Sequence, residues 1–212
     1  MAELKQKYIL HFANKGFLVS FLLSIAMLMV SLAVNFYAGS YAAESQSNYV
    51  TDIILSNTRP YDVDIIFVYG SIAFVCFVTF LFLIEPRRAP FIIKSVALFV
   101  VVRSLFISLT HIGPFPSQIV IDSTILEKFT FGGDLFFSAH TGLPFLMALI
   151  FWDNKFFRYL FIILSIIFGA VVLLGHLHYS IDVAAAFFIT YTIYHMAMKF
   201  FKKDLKLFHQ GL

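Results

Sequence analysis

Six apolar stretches of near membrane-crossing length, at about 17–38, 65–84, 91–112, 135–152, 159–175 and 181–198, leave this chain few ways to fold. A helix needs roughly 20 apolar residues to cross a bilayer core, and each stretch is close to that length. The expected fold is all-α, a polytopic six-transmembrane-helix bundle. Composition agrees: 60% of the 212 residues are hydrophobic, only 13% are charged, and 28 are phenylalanine. Such a profile lies outside the soluble globular range. The last three stretches are slightly short, which suits helices that end where a polar cavity opens. No repeat, low-complexity tract or soluble domain is visible, so residues 1–212 read as a single membrane domain.

Charge sets the expected orientation. Lys5, Lys7, Lys15, Arg87, Arg88, Lys94, Lys155, Arg158, Lys199, Lys202, Lys203 and Lys206 all fall on one side of the six-span order. Arg59 and Lys128 are the basic residues of the opposite loops. Twelve against two places both termini in the cytoplasm and the loops 39–64, 113–134 and 176–180 outside. The net charge of +3 is modest and spread by side rather than gathered into a patch, so it gives no sign of nucleic acid, and none is expected as a partner. The single cysteine, Cys76, sits in an apolar run and can form neither an intrachain disulfide nor a thiolate metal site.

Two outer-side segments carry the chemistry. In the second, His178 and Asp182 are four apart, one helical turn, so the carboxylate can orient and charge-stabilise the imidazole. In the first, His140 lies a few residues into the fourth span, with Ser138 and Thr141 beside it. A histidine held by an acid, with a second histidine from a neighbouring span, is equipped for nucleophilic attack and general-acid catalysis. An interfacial capping pair is the plainer reading of His178 and Asp182, but ionisable groups at span mouths are costly in lipid and usually functional. Asp134, behind Gly132 and Gly133, is placed to cap the fourth span as well as to support catalysis. Arg103, within the third span, must face the bundle interior and meet an acid or a phosphate. His176 and Tyr179 complete the candidate phosphate-binding set with Arg103 and Ser138. His111 is expected to line the cavity at most, and His195 to be structural. Tyr41, Tyr49, Tyr61, Glu44, Asp52 and Asp62 of the first outer loop are candidates for a cationic headgroup cradle or for a simple interfacial belt.

The chain shows no glycine-rich phosphate loop, no paired-cysteine spacing and no His-Glu-x-x-His helix. The expected chemistry is metal-independent and needs no cofactor.

These residues resemble the sphingomyelin synthase family, a six-span branch of the lipid phosphatase/phosphotransferase superfamily, and the resemblance implies a catalytic core at about 60–200. The family's Cys-Gly-Asp-x-x-x-Ser-Gly-His-Thr motif reads here Gly132-Gly133-Asp134-Leu135-Phe136-Phe137-Ser138-Ala139-His140-Thr141. Its His-Tyr-Thr-x-Asp-Val-x-x-x-Tyr motif reads His178-Tyr179-Ser180-Ile181-Asp182-Val183, followed by Phe187. A third motif, an Arg seven residues before a Thr, matches Arg103 and Thr110. Gly132 replaces the family's Cys, Ala139 its Gly, and Pro-Leu-Pro-Asp survives loosely as Pro60-Tyr61-Asp62. These departures bear on acceptor and headgroup choice and leave the His–His–Asp set intact.

The resemblance implies a phosphotransferase. His178, oriented by Asp182, would attack the headgroup phosphorus of a membrane phospholipid donor. His140 would protonate the departing diacylglycerol oxygen and then deprotonate the acceptor, a lipid alcohol such as ceramide or diacylglycerol. Arg103 and His176 would stabilise the phosphoryl oxygens. Transfer to water would make the same scaffold a phosphatase or phospholipase C-type hydrolase, against which the absence of the phosphatases' Lys-x6-Arg-Pro motif counts. A non-catalytic lipid-binding membrane protein is the third reading. The expected location is a bacterial inner membrane, or Golgi or plasma membrane in a eukaryote, with the site on the outer face.

Overall fold

A computed structural model describes residues 2–119 and 136–211. Every regular element in it is helical. A short helix α1 (Ala2–Ala13) precedes α2 (Lys15–Glu44), and a π-helical stretch (Ile66–Gly70) runs into α3 (Ser71–Ile84). Then come α4 (Ala89–Leu109), α5 (Ala139–Ile150), α6 (Lys155–Leu174), α7 (Ser180–Phe200) and a terminal α8 (Lys202–Gln210).

Five of these helices are long and apolar enough to cross a membrane: Lys15–Glu44, Ile66–Ile84, Pro86–Leu109, Lys155–Leu174 and Ser180–Phe200. The expected fourth span is shorter than the apolar stretch that announced it. α5 has 12 residues, about 18 Å of helix against a hydrocarbon core of ~30 Å. Its start is set by Ser138, which has extended backbone dihedrals and whose hydroxyl accepts from the Thr141 amide. Phe136 and Phe137 ahead of that cap are non-helical although they are apolar.

α5 is also the most enclosed helix. Leu146 and Ala148 are fully buried, as is Thr141, whose carbonyl accepts from Ser165 Oγ of α6 at 2.7 Å. Gly142 makes this possible, because a Cβ there would fall 2.7 Å from the Phe99 ring and 2.9 Å from Thr190 Oγ1. α4 and α7 therefore close on α5 from two sides. The core is built of Phe91, Phe99, Phe137, Met147, Phe161 and Ile193 around it. α2 packs against α4 through Phe17, Ser24, Ser31 and Ala38, a repeat of seven whose small members let the helices approach. Ser24 and Ser31 return their hydroxyls to carbonyls of their own helix. The rest of α2, including Leu22, Met29, Val30 and Phe36, is exposed apolar surface suited to lipid.

The two ends of the bundle are distinct. At one, Lys7 pairs with Glu85, Lys94 with Asp204 at 2.7 Å, and Arg87 reaches the His209 carbonyl. Both termini therefore lie at this end, together with most of the basic residues. At the other, Ser47 N bonds His111 O, Tyr61 N bonds Leu174 O, and the loop after α2 folds over the start of α7.

Candidate active site

The α6–α7 turn is short and heavily bonded. His176 N donates to Leu173 O, and both Leu177 N and His178 N to Val172 O. His176 takes a left-handed conformation at φ 53°, the turn's means of reversing direction without a glycine. Tyr179 then caps α7, its amide donating to Asp182 Oδ2 at 2.9 Å. That same oxygen lies 3.4 Å from His178 Nδ1. Asp182, fully buried, thus serves the helix start and the imidazole with one carboxylate oxygen. His178 is 8% exposed, so water does little to weaken the pair.

The first histidine segment is tied to the second through the backbone. Ser138 N donates to the Asp182 carbonyl at 3.2 Å, which sets the cap of α5 against the first turn of α7. His140 is the second residue of α5. Its ring lies 4.2 Å from Phe67 between centroids and 6.3 Å from Phe168, so two aromatic faces frame it. Phe67 comes from the π-helical stretch, a distortion that often marks functional sites. Gly70, on the same stretch, lets the Phe168 ring approach, since a Cβ would meet it at 3.3 Å. His178 and Arg103 are within electrostatic reach of His140. Pro144 has no N–H and deprives the His140 carbonyl of its usual intrahelical donor.

Arg103 is 7% exposed, and its Nε donates to Phe137 O at 3.0 Å, the residue before the α5 cap. The guanidinium is therefore brought to the segment that leads to His140, where its planar fork suits a phosphoryl group. Beside His140 a cavity of about 160 Å³ is lined by Ser71, Phe74, Val75, Leu143, Pro144 and Phe168. Its walls are almost wholly apolar, and Val75 on its rim faces outward on the flank of the bundle. The site thus has a polar side at Arg103, His178 and Asp182 and an apolar side open toward lipid.

The other expected site residues have definite places. Ser138 is fully buried as the α5 cap. Tyr179 is 2% exposed, its hydroxyl donating to Gly113 O and accepting from Val50 N, which pins two outer segments. His176 is 1% exposed with Nδ1 2.7 Å from Ser117 Oγ and Nε2 3.3 Å from Thr58 Oγ1. Burial holds its pKa below the usual imidazole value, against the opposing pull of Asp52. His111 bonds Ser108 O and packs edge-on to Tyr41. His195 bonds Tyr191 O within its own helix. Asp134 lies outside the described residues. Among the described residues no three His, Cys, Asp or Glu side chains converge as metal ligands.

Asp52 is the residue whose place the sequence concealed. It is 7% exposed; one carboxylate oxygen accepts from Ile54 N and Leu55 N, the other from Ser180 N and Ser180 Oγ, both at 2.7 Å. Burial opposes its ionisation, but these hydrogen bonds outweigh that and lower its pKa. The first outer loop is thereby fastened to the first residue of α7, two positions from His178. Asp52 followed by Ile53-Ile54-Leu55 does signal a local cap; the partner 128 residues away had no local mark.

Residues 132–199 match the family model described as PAP2 superfamily C-terminal. No curated protein and no solved structure matches the chain. The matched stretch contains Ser138, His140, His178 and Asp182, and it supports a place in the lipid phosphatase/phosphotransferase superfamily.

Proposed function

We propose that this protein is a metal-independent membrane phosphotransferase that moves the phospho-headgroup of a glycerophospholipid to a lipid alcohol such as ceramide. The observation that carries the reading is His140, which lines an apolar cavity on the bundle flank and whose segment is bonded to that of the His178–Asp182 pair through Ser138 N and Asp182 O. With Nδ1 turned to Asp182, Nε2 of His178 is the nitrogen left to attack phosphorus. A P–N bond forms as the P–O bond to diacylglycerol breaks, and the leaving oxygen takes a proton from His140. In the return step the acceptor hydroxyl gives its proton to His140, its oxygen bonds phosphorus, and His178 is released. Arg103 balances charge on the equatorial oxygens, the largest single contribution in such transfers. Ser138 and Tyr179 hold the two histidine segments in place, and Asp134 supports His140. His176, with both ring nitrogens against hydroxyls, shapes the loop beside the phosphate. The twelve-to-two charge bias puts the termini in the cytoplasm and the site on the outer face, in a bacterial inner membrane or a eukaryotic Golgi or plasma membrane.

Hydrolysis on the same scaffold is the competing reading, and the superfamily match is equally consistent with both outcomes. Purified protein given headgroup-labelled phosphatidylcholine or phosphatidylethanolamine, with and without ceramide, decides between them. The proposal expects label in a phosphosphingolipid, or in a new glycerophospholipid when diacylglycerol is the acceptor. Label recovered as water-soluble phosphocholine or phosphoethanolamine whatever lipid alcohol is added would make the protein a hydrolase.

A further inference from the structure

At the end that carries the termini, far from the histidines, lies a second and larger cavity of about 700 Å³, within the ~300–1,000 Å³ range of ligand sites. It is bounded by the start of α2 and by the junction of α7 with α8. Its floor is a buried charge cluster: Lys94 Nζ donates to Asp204 Oδ2 at 2.7 Å and to Ser20 Oγ at 2.8 Å, and Ser20 Oγ bonds the second Asp204 oxygen. Lys94 and Asp204 neutralise each other, so the floor adds no net charge. Above it stand Lys199, Lys202 and Lys203, all exposed and without an ion-pair partner among the described residues. The wall between is apolar, with Val19, Leu23 and Phe200 each more than half exposed.

We propose that this cavity binds an anionic phospholipid of the leaflet on that side, its phosphate among Lys199, Lys202 and Lys203 and an acyl chain along Val19, Leu23 and Phe200. Three cations around one hollow attract an anion, and an adjoining apolar, exposed wall favours one with a tail. Basic hollows between membrane helices at this level are natural seats for such headgroups. α8 supports the placement: it buries Asp204 and Phe208 and turns Lys202, Lys203 and Lys206 outward, the layout of a helix lying along an interface. The occupant is thus a structural or regulatory lipid, separate from the substrates of the histidine site.

Native mass spectrometry of the full chain in detergent tests this, using phosphatidylglycerol and phosphatidylcholine with matched acyl chains. Adducts are identified as intact lipid, so turnover at the histidines does not enter the count. The expected result is about tenfold tighter retention of phosphatidylglycerol, consistent with several lysines acting on one phosphate. The K199Q/K202Q/K203Q variant should bring it down to the phosphatidylcholine level with an unchanged melting temperature. Lys206→Gln, on the same helix but outside the cavity lining, should leave the preference intact. Equal retention of the two lipids by the unmodified protein, or an equal loss on Lys206→Gln, would overturn the site. Displacement of the lipid by millimolar glycerol phosphate would assign the hollow to a free phosphate ester instead and overturn the lipid assignment.

Discussion

The Ser138 amide donates to the carbonyl of Asp182, 3.2 Å away, and this one backbone bond joins the segment of the proposed acid to the segment of the proposed nucleophile. Asp182 therefore acts three times: its carbonyl holds the α5 cap, one carboxylate oxygen caps α7, and the same oxygen faces His178. The two histidines are positioned relative to each other without a side-chain bond between them.

Substitutions at this pair should separate chemistry from geometry. His178→Ala removes the proposed nucleophile and is expected to abolish turnover. Asp182→Asn keeps a capping oxygen but loses the negative charge facing the imidazole, so a residual rate should remain, with a stability loss of about 1 kcal/mol or less. Headgroup-transfer rates and melting temperatures of the two variants check this; full activity in a folded His178→Ala protein would remove it from catalysis.

The apolar cavity beside His140 should discriminate by tail. Val75 lies on its outer rim, and Val75→Trp would occupy the space without removing a polar group. The expectation is a KM raised about tenfold for long-chain donors, with short-chain donors little affected, since a few buried methylenes suffice for such a change. Equal effects on both chain lengths would detach the cavity from substrate binding.

Asp52 ties the first outer loop to α7 by charge-assisted hydrogen bonds. Asp52→Asn should cost about 1.5–3 kcal/mol, the range for hydrogen bonds to charged groups, and lower kcat more than it changes KM. Asp52→Glu, which keeps the charge, should recover part of both. Thermal melts with steady-state kinetics give the readout.

Acid sensitivity should pass through His176. Its folded-state pKa lies below 6.5 because it is buried neutral, so the unfolded chain binds the proton first. The stabilisation is fully present above pH 6.5 and is lost as pH falls from there through the folded pKa. The melting temperature of the native protein should drop over that window, and His176→Asn, which tolerates the left-handed backbone, should flatten the drop. An unchanged pH profile would exclude His176 as the source.

Sidedness is open to labelling. In a Cys76→Ser background, Gln46→Cys should react with an impermeant thiol reagent on intact cells and Lys155→Cys should not, since both positions are exposed and lie at opposite ends of the bundle. The reverse pattern would invert the topology.

The spans were legible because long apolar runs have one economical fate in lipid, and the third expected stretch, 91–112, differs from α4 by only two or three residues at each end. α1 and α8 were not legible: they are short and mixed in polarity, and they acquire helical structure at the interface by docking through Lys7–Glu85 and Lys94–Asp204. The shortened α5 was hidden because hydropathy does not register a cap, whereas Ser138 stops the helix despite apolar neighbours. His178 and Asp182 stood out by their one-turn spacing. Phe67, Thr58 and Ser117 did not, since nothing near them in sequence shows that π-helical geometry or a distant loop will carry them to a histidine.

The α6–α7 turn has a further consequence. Five residues separate the helices, the left-handed position among them is His176 rather than Gly175, and three amides fold back onto Leu173 and Val172. If His178 is the nucleophile, as proposed, so stiff a bracket keeps it from following its substrate. Adjustment to lipids of different shape must then fall to the aromatic wall of Phe67 and Phe168, so variation in substrate range among related chains should be sought there, while the bracket itself sets a fixed point from which reach is measured.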